Sequence, residues 1–145
     1  MGPSGLVLAG LLANYNIKVG IFEKKLSTVS EPRAVSIDDE SLRILQSFSL
    51  HRAVLKNVSQ NYGSHYYDDK GKVFLKVEPD SFENGFFKRN AFDQPTFERT
   101  LRKHLEKQKN ININFSHNLI SVNNGTNHVV VNFEDSSRKK RSFLA

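Results

Sequence analysis

The stretch from Met1 to Glu23 constrains what this chain can fold into more than any other. Gly2-Pro3-Ser4-Gly5 opens an apolar run of mostly small residues, Leu6 to Ala13. Asn14-Tyr15-Asn16 is a polar turn, and Lys18-Val19-Gly20-Ile21-Phe22 ends on one acid, Glu23. The pattern predicts a glycine turn, a helix starting at Pro3 or Ser4, a strand, and an acid at the strand's end.

That order is the order of a dinucleotide-binding βαβ unit, whose full fingerprint is G-x-G-x-x-G after a strand. Gly2 and Gly5 fit its second and third glycines. The first glycine and the first strand are expected to be missing, since the chain begins at Met1. A glycine at position 2 lets backbone approach a pyrophosphate, and Gly5 is expected to let the helix pack closely on the sheet. Pro3 suits a first helical turn, where its absent N–H costs nothing. The helix start near Pro3 and Ser4 presents free N–H groups and a positive dipole end to phosphate. Glu23 lies 21 positions after Gly2, near the spacing of roughly 20 at which an acid reaches ribose hydroxyls. A secretory leader does not fit, because no Lys or Arg precedes the apolar run and no A-x-A-like site follows it. A myristoylation signal fails at Leu6, where Ser or Thr is needed.

With 145 residues, one domain is expected. Eleven Phe argue against disorder, and the lack of cysteine excludes a disulfide framework or a thiolate metal site. No apolar run approaches the roughly 20 residues of a membrane span, so a reduced cytoplasmic location is expected. Of the formal charge of +6, Arg138-Lys139-Lys140-Arg141 supplies a concentrated part. A solvated turn or edge strand accounts for that run better than nucleic acid, and no RNP, zinc-finger or helix-turn-helix pattern accompanies it. The histidines show no metal-ligand spacing, G-x-S-x-G is absent, and no catalytic constellation emerges.

Further along, Lys24 to Pro32 reads as a polar loop. A helix is expected from Asp38 or Asp39, with Leu42 and Leu45 on one face, and a short one over Leu50 to Lys56. Arg33 precedes the first of these, placed either to reach phosphate or to sit as a surface arginine. Gln60 to Tyr67 and Val73 to Val77 read as a hairpin around Asp68-Asp69-Lys70-Gly71-Lys72. Pro79 to Lys88 is irregular. Gln94 to Gln108 is a helix with Asp93 as cap, Pro95 in its first turn, and Phe97, Leu101 and Leu105 on one face. Ile111 to Phe115, Leu119 to Val122 and Val129 to Phe133 read as strands, with a turn over Asn123 to Thr126. Another strand is expected within Arg138 to Leu144.

Several runs, taken together, resemble a known family. They are Gly2-Pro3-Ser4-Gly5-Leu6, the strand ending in Glu23, the run from Pro32 to Gln46 (P-R-A-V-S-I-D-D-E-S-L-R-I-L-Q), and Gln94-Pro95-Thr96-Phe97-Glu98. This order resembles the FAD-binding part of flavoprotein aromatic hydroxylases, nearest the 3-(3-hydroxyphenyl)propionate hydroxylase and phenol hydroxylase group. The resemblance covers nearly all of the chain and is thin from Asn57 to Glu83. It implies a Rossmann-like α/β FAD-binding domain over residues 1–145, incomplete, with an added β-sheet and hairpin region. It also implies FAD as cofactor, NADH or NADPH as electron donor, O₂, and a small aromatic substrate, with no nucleic acid as partner. Glu23 would then hold the adenosine ribose, and Gly2, Pro3, Ser4 and Gly5 would line the pyrophosphate path. Arg33 would contact the cofactor from its loop, and Gln94 would reach the ribityl side.

A second FAD motif, G-D-G or C-D-G, would fall beyond Ala145, so an interior piece of a longer enzyme is expected. A non-catalytic remnant that binds no cofactor, another flavin oxidoreductase of the same fold, such as a squalene-type or ubiquinone-pathway hydroxylase, and a basic nucleic-acid-binding module stand as alternatives. The expectation for the chain by itself is a colourless preparation that hydroxylates nothing. Absorbance of the purified chain at flavin wavelengths, and NADH or NADPH consumption with phenols, check this. A yellow preparation with stoichiometric FAD, or a hydroxylated product, would contradict it.

Overall fold

Local chemistry sets most element boundaries in the computed structural model, which describes residues 1–27 and 31–145. In chain order the elements are α1 (Pro3–Asn14), β1 (Val19–Glu23), β2 (Ser36–Asp38), α2 (Asp39–Ser47), α3 (His51–Leu55), β3 (Val58–Ser59) and β4 (Ser64–Tyr67). They continue with β5 (Val73–Val77), β6 (Arg89–Phe92), α4 (Gln94–Leu105), β7 (Ile111–Phe115), β8 (His117–Asn124), β9 (Val129–Asp135) and β10 (Lys140–Leu144). The expected α/β class is met. Contacts divide the chain into two compact units, Met1–Thr28 with Leu105–Ala145, and Val29–His104. Among the described residues no helix is long and apolar enough to cross a membrane.

In the first unit, α1 starts with Gly2 as N-cap and Pro3 in its first turn, and buries Leu6, Ala9 and Gly10 on one face. It ends in a Schellman motif. Ile17 N–H bonds to the Leu12 carbonyl (3.2 Å) and Asn16 N–H to the Ala13 carbonyl (2.9 Å), with Asn16 left-handed at φ 60°. The chain thereby turns into β1, which pairs in parallel with β7 from Val19↔Ile111 to Glu23↔Phe115. Asn110 fixes the junction. Its amide donates to the carbonyls of Ala13 (3.0 Å) and Ile17 (3.1 Å), and its own carbonyl accepts Val19 N–H (2.8 Å).

Strands β8, β9 and β10 form an antiparallel meander. Phe133 of β9 stacks on Phe22 of β1 with ring centroids 4.0 Å apart, and His117 and Phe143 meet both rings edge-on. Asp135 organises the β9–β10 turn, in which Arg138 is left-handed. Its Oδ1 accepts the Ser137 hydroxyl (2.6 Å) and the N–H groups of Ser137 and Lys139 (3.0 Å each), and Oδ2 accepts Arg141 Nε–H (3.1 Å).

In the second unit, β6 lies between β2 and β3, antiparallel to both. Asp38 caps α2 by accepting Ser41 N–H (2.8 Å), with Asp39 and Glu40 in the first turn as dipole and cap rules favour. Leu42, Leu45, Leu50, Val54, Phe97 and Leu101 are buried. The β4–β5 hairpin closes around Asp68, whose Oδ1 accepts from Lys70 (3.0 Å) and Lys72 (2.7 Å), while Gly71 takes φ 76°. That conformation is open to glycine at little cost.

Differences from the sequence expectations follow one rule. β2, β3 and β6 add to the expected elements, because ladders of two to four residues exist only through partners far along the chain. The strand expected over Gln60–Tyr67 begins at Ser64, the last helix ends at Leu105, and β8 extends to Asn124. Of the loop expected over Lys24 to Pro32, Thr28, Val29 and Ser30 lie outside the described residues.

Bonds to the ionised form hold the Asp135 carboxyl below its ordinary value of 3.8, the Ser137 hydroxyl first, then Arg141 and the Lys139 N–H. The shift is downward, so the stability it contributes is complete above the ordinary carboxylate pKa of about 3.9 and is lost as pH falls below it. A carbonyl-carbon NMR titration is expected to put the Asp135 midpoint below 3.8, and a midpoint at or above that value would mean the turn is not held this way.

Candidate functional site

Residues expected to hold a cofactor occur in each unit. In the first unit, Gly2 has extended backbone (φ −102°, ψ −179°), and no side chain caps the helix it starts. Gly2, Ser4 and Gly5 are exposed and Pro3 is half-buried. A Cβ built on Gly2 or Gly5 would meet nothing within 4 Å. For Gly2 this is the open approach that a phosphate needs. For Gly5 it differs from the expected tight helix–sheet packing: among the described residues nothing there requires a glycine for close contact. The first turn of α1 carries no acid, which keeps the dipole's positive end open to an anion.

Glu23 closes β1 beside this turn. Its Oε1 accepts Lys25 N–H (2.8 Å), and its Oε2 pairs with the amino group of Met1, the residue before Gly2. With 13% of its side chain exposed, Glu23 is largely shielded yet reachable. The structure therefore brings the glycine turn and the acid together. An apolar groove of about 770 Å³ in the same unit is lined by Val19, Phe22, Ile111, Val131, Phe133 and Phe143, and none of the candidate residues lines it.

In the second unit, Arg33 and Gln94 are neighbours although 61 positions separate them. Asp93 caps α4 by accepting Thr96 N–H (2.9 Å), and its pKa is lowered first by a hydrogen bond from the Thr96 side chain and then by that N–H. The cap sets Gln94 at the start of the helix, only 8% exposed. Its Oε1 accepts the N–H groups of Arg33 (2.9 Å) and Ala34 (2.8 Å), and its Nε2 donates to Glu98 Oε1 (2.8 Å). A glutamine amide offers two acceptor and two donor positions, so one N–H is left for any other partner. Arg33 itself is exposed.

Two buried polar residues carry this region without having been singled out from the sequence. Glu98 is 1% exposed and Asn90 0%. Asn90 donates to the carbonyls of Ile37 (3.2 Å) and Phe87 (2.7 Å) and accepts Asn61 N–H (3.4 Å). Glu98 had a faint signal, an acid one helical turn after Gln94. Asn90 had none.

The family described as FAD binding domain matches residues 1–144. The chain belongs to this FAD-binding family. Among curated relatives, a 3-(3-hydroxy-phenyl)propionate/3-hydroxycinnamic acid hydroxylase of Comamonas testosteroni is 31% identical over 99% of this chain and 24% of its own length. A protein of the same name from Burkholderia vietnamiensis is 35% identical over 81% of this chain and 19% of its own length. The chain thus spans about a quarter or less of these relatives.

Solved structures give the same fold. The p-nitrophenol 4-monooxygenase of Pseudomonas putida superposes with a TM-score of 0.88 at 20% identity, over 99% of this chain and 37% of that one. An aklavinone-11 hydroxylase solved with FAD and aklavinone gives 0.81 at 16% identity, over 99% of this chain and 30% of that one. The recognition of the FAD-binding part of aromatic hydroxylases, carried by the glycine turn, the P-R-A-V-S-I-D-D run and Gln94, is thereby borne out.

Proposed function

We propose that residues 1–145 act as one FAD-binding domain of a cytoplasmic flavoprotein that hydroxylates a phenolic ring with NADH or NADPH and O₂. The observation that carries the cofactor assignment is the acid Glu23 lying beside an uncapped, glycine-lined helix start. The names of the relatives support the aromatic substrate class and the hydroxylation. The residues present fit FAD: open space stands at Gly2 and Gly5, and an acceptor carboxylate stands at Met1, the residue before Gly2.

When bound, FAD supplies the redox chemistry. The chain's own part is binding and orientation. The backbone N–H groups of Ser4 and Gly5, ahead of the first helical bond from Leu6 to Gly2, meet the pyrophosphate with the favourable end of the α1 dipole. Glu23 accepts ribose hydroxyls, and its charge favours a free 2′-hydroxyl over a 2′-phosphate. Arg33 offers a planar guanidinium to an anionic or carbonyl group of the cofactor. The remaining Gln94 N–H donates toward the ribityl chain.

Two outcomes test this. Bonds from ribose to Glu23 are charge-assisted and worth roughly 1.5–3 kcal/mol. In a protein extended by a strand and glycine ahead of Gly2, flavin-fluorescence titration is expected to show saturable FAD binding that Glu23→Ala weakens at least about tenfold, and unchanged affinity removes the ribose role. Arg33→Lys keeps the charge and loses the fork, so it too is expected to weaken FAD binding. If Arg33→Lys and Arg33→Ala both match the native chain, Arg33 is a surface residue.

A further inference from the structure

Glu98 is the least expected residue on the buried face of α4. It is 1% exposed in the same helix as Phe97 and Leu101, at 7% and 0%. Its Oε1 accepts the Gln94 amide, while its Oε2 is buried with no hydrogen-bond partner among the described residues. A carboxyl placed this way is poor for stability, and an apolar side chain of similar size at such a site is often neutral or stabilising. Packing alone therefore does not explain a glutamate here.

The geometry around Gln94 does. A glutamine amide can turn either end toward a neighbour, and only its oxygen can accept two backbone N–H groups. The accepting oxygen of Glu98 draws Nε2 to one side, which turns Oε1 toward Arg33 and Ala34. Two N–H groups from consecutive residues converging on one oxygen pin the loop at the root of the Arg33 side chain.

We propose that Glu98 is a positioning residue: it locks the Gln94 amide in the orientation that holds the Arg33–Ala34 backbone, and so sets where the Arg33 guanidinium meets the bound cofactor. The effect on the loop stands by itself, and the consequence for the cofactor rests on the FAD reading above. Glu98 acts through Gln94, because both of its oxygens are turned inward from solvent. A residue serving only to fill the core would act on the whole unit at once, not on two amides 64 and 65 positions away.

Amide hydrogen exchange followed by NMR on the flavin-free 145-residue chain tests the loop. In Glu98→Met the Arg33 and Ala34 amides are expected to exchange at least about tenfold faster, with the amides of the β4–β5 hairpin unchanged. Glu98→Gln keeps an accepting oxygen and is expected to stay within about threefold of the native chain. Unchanged exchange at Arg33 and Ala34 in Glu98→Met overturns the proposal, and so does acceleration shared by the hairpin. Should Glu98→Met not fold, Glu98→Asp withdraws the oxygen by one methylene. At least a threefold acceleration is then expected at the same two amides, and none overturns the proposal.

FAD titration of the strand-extended protein tests the cofactor half. Glu98→Met is expected to weaken binding about tenfold in the native background and not at all in Arg33→Ala. A loosened loop with unchanged FAD affinity overturns that half. A strand-extended protein that binds no FAD defeats the proposed function instead, while the exchange result on the 145-residue chain still decides the role of Glu98.

Discussion

Five residues of β1 face five of β7 in parallel register, and strands running the same way cannot be joined by a tight turn. Everything between Glu23 and Ile111 must therefore serve as a crossover. The second compact unit is built within it. The ladder also fixes the end of β1, and with it Glu23, next to the residue that precedes the glycine turn. Asn110 holds the other end by joining the last turn of α1 to the start of both strands. This pairing is what holds the acid at the end of β1 beside the residue that precedes the glycine turn.

Buried polar groups do the corresponding work in the second unit. Asn90, Gln94 and Glu98 are buried, and the amides of Asn90 and Gln94 add bonds between segments remote in the chain. Asn90 ties Ile37, Asn61 and Phe87, and Gln94 ties Arg33 and Ala34. A buried amide left unpaired costs about 1–3 kcal/mol, so each such residue strongly disfavours arrangements in which its partners are elsewhere. Specificity of loop placement, more than added stability, is what these residues supply.

Elements written in local chemistry were legible in the sequence. α1, α2 and α4 announce themselves through Pro3, Asp38 and Asp93 at their starts and through leucines at helical spacing. The hairpin between β4 and β5 is declared by Asp68 and Gly71, and Glu23 by its distance from Gly2. What stayed hidden depends on partners remote in the chain. β6 is a strand because Ile37 and Val58 come to it from either side. Gln94 was read as facing the cofactor, and nothing nearby in sequence discloses that its oxygen is filled by the backbone of Arg33 and Ala34. The burial of Glu98, among the charges of an amphipathic helix, is equally invisible without the packing around it.

The long reach of the β1–β7 ladder bears on how the chain acquires its structure. Neighbouring pairings, such as β4 with β5 and β8 with β9, close short loops and form on microsecond timescales. Val19 and Ile111 close a loop of about ninety residues, an entropic cost that must be met before the contact returns anything. At the pace of synthesis, about 5–20 residues per second, β1 waits roughly 5–18 s for its partner strand to be made. Through that interval Val19, Ile21 and Phe22 await β7, so this pairing forms well after those within the hairpins.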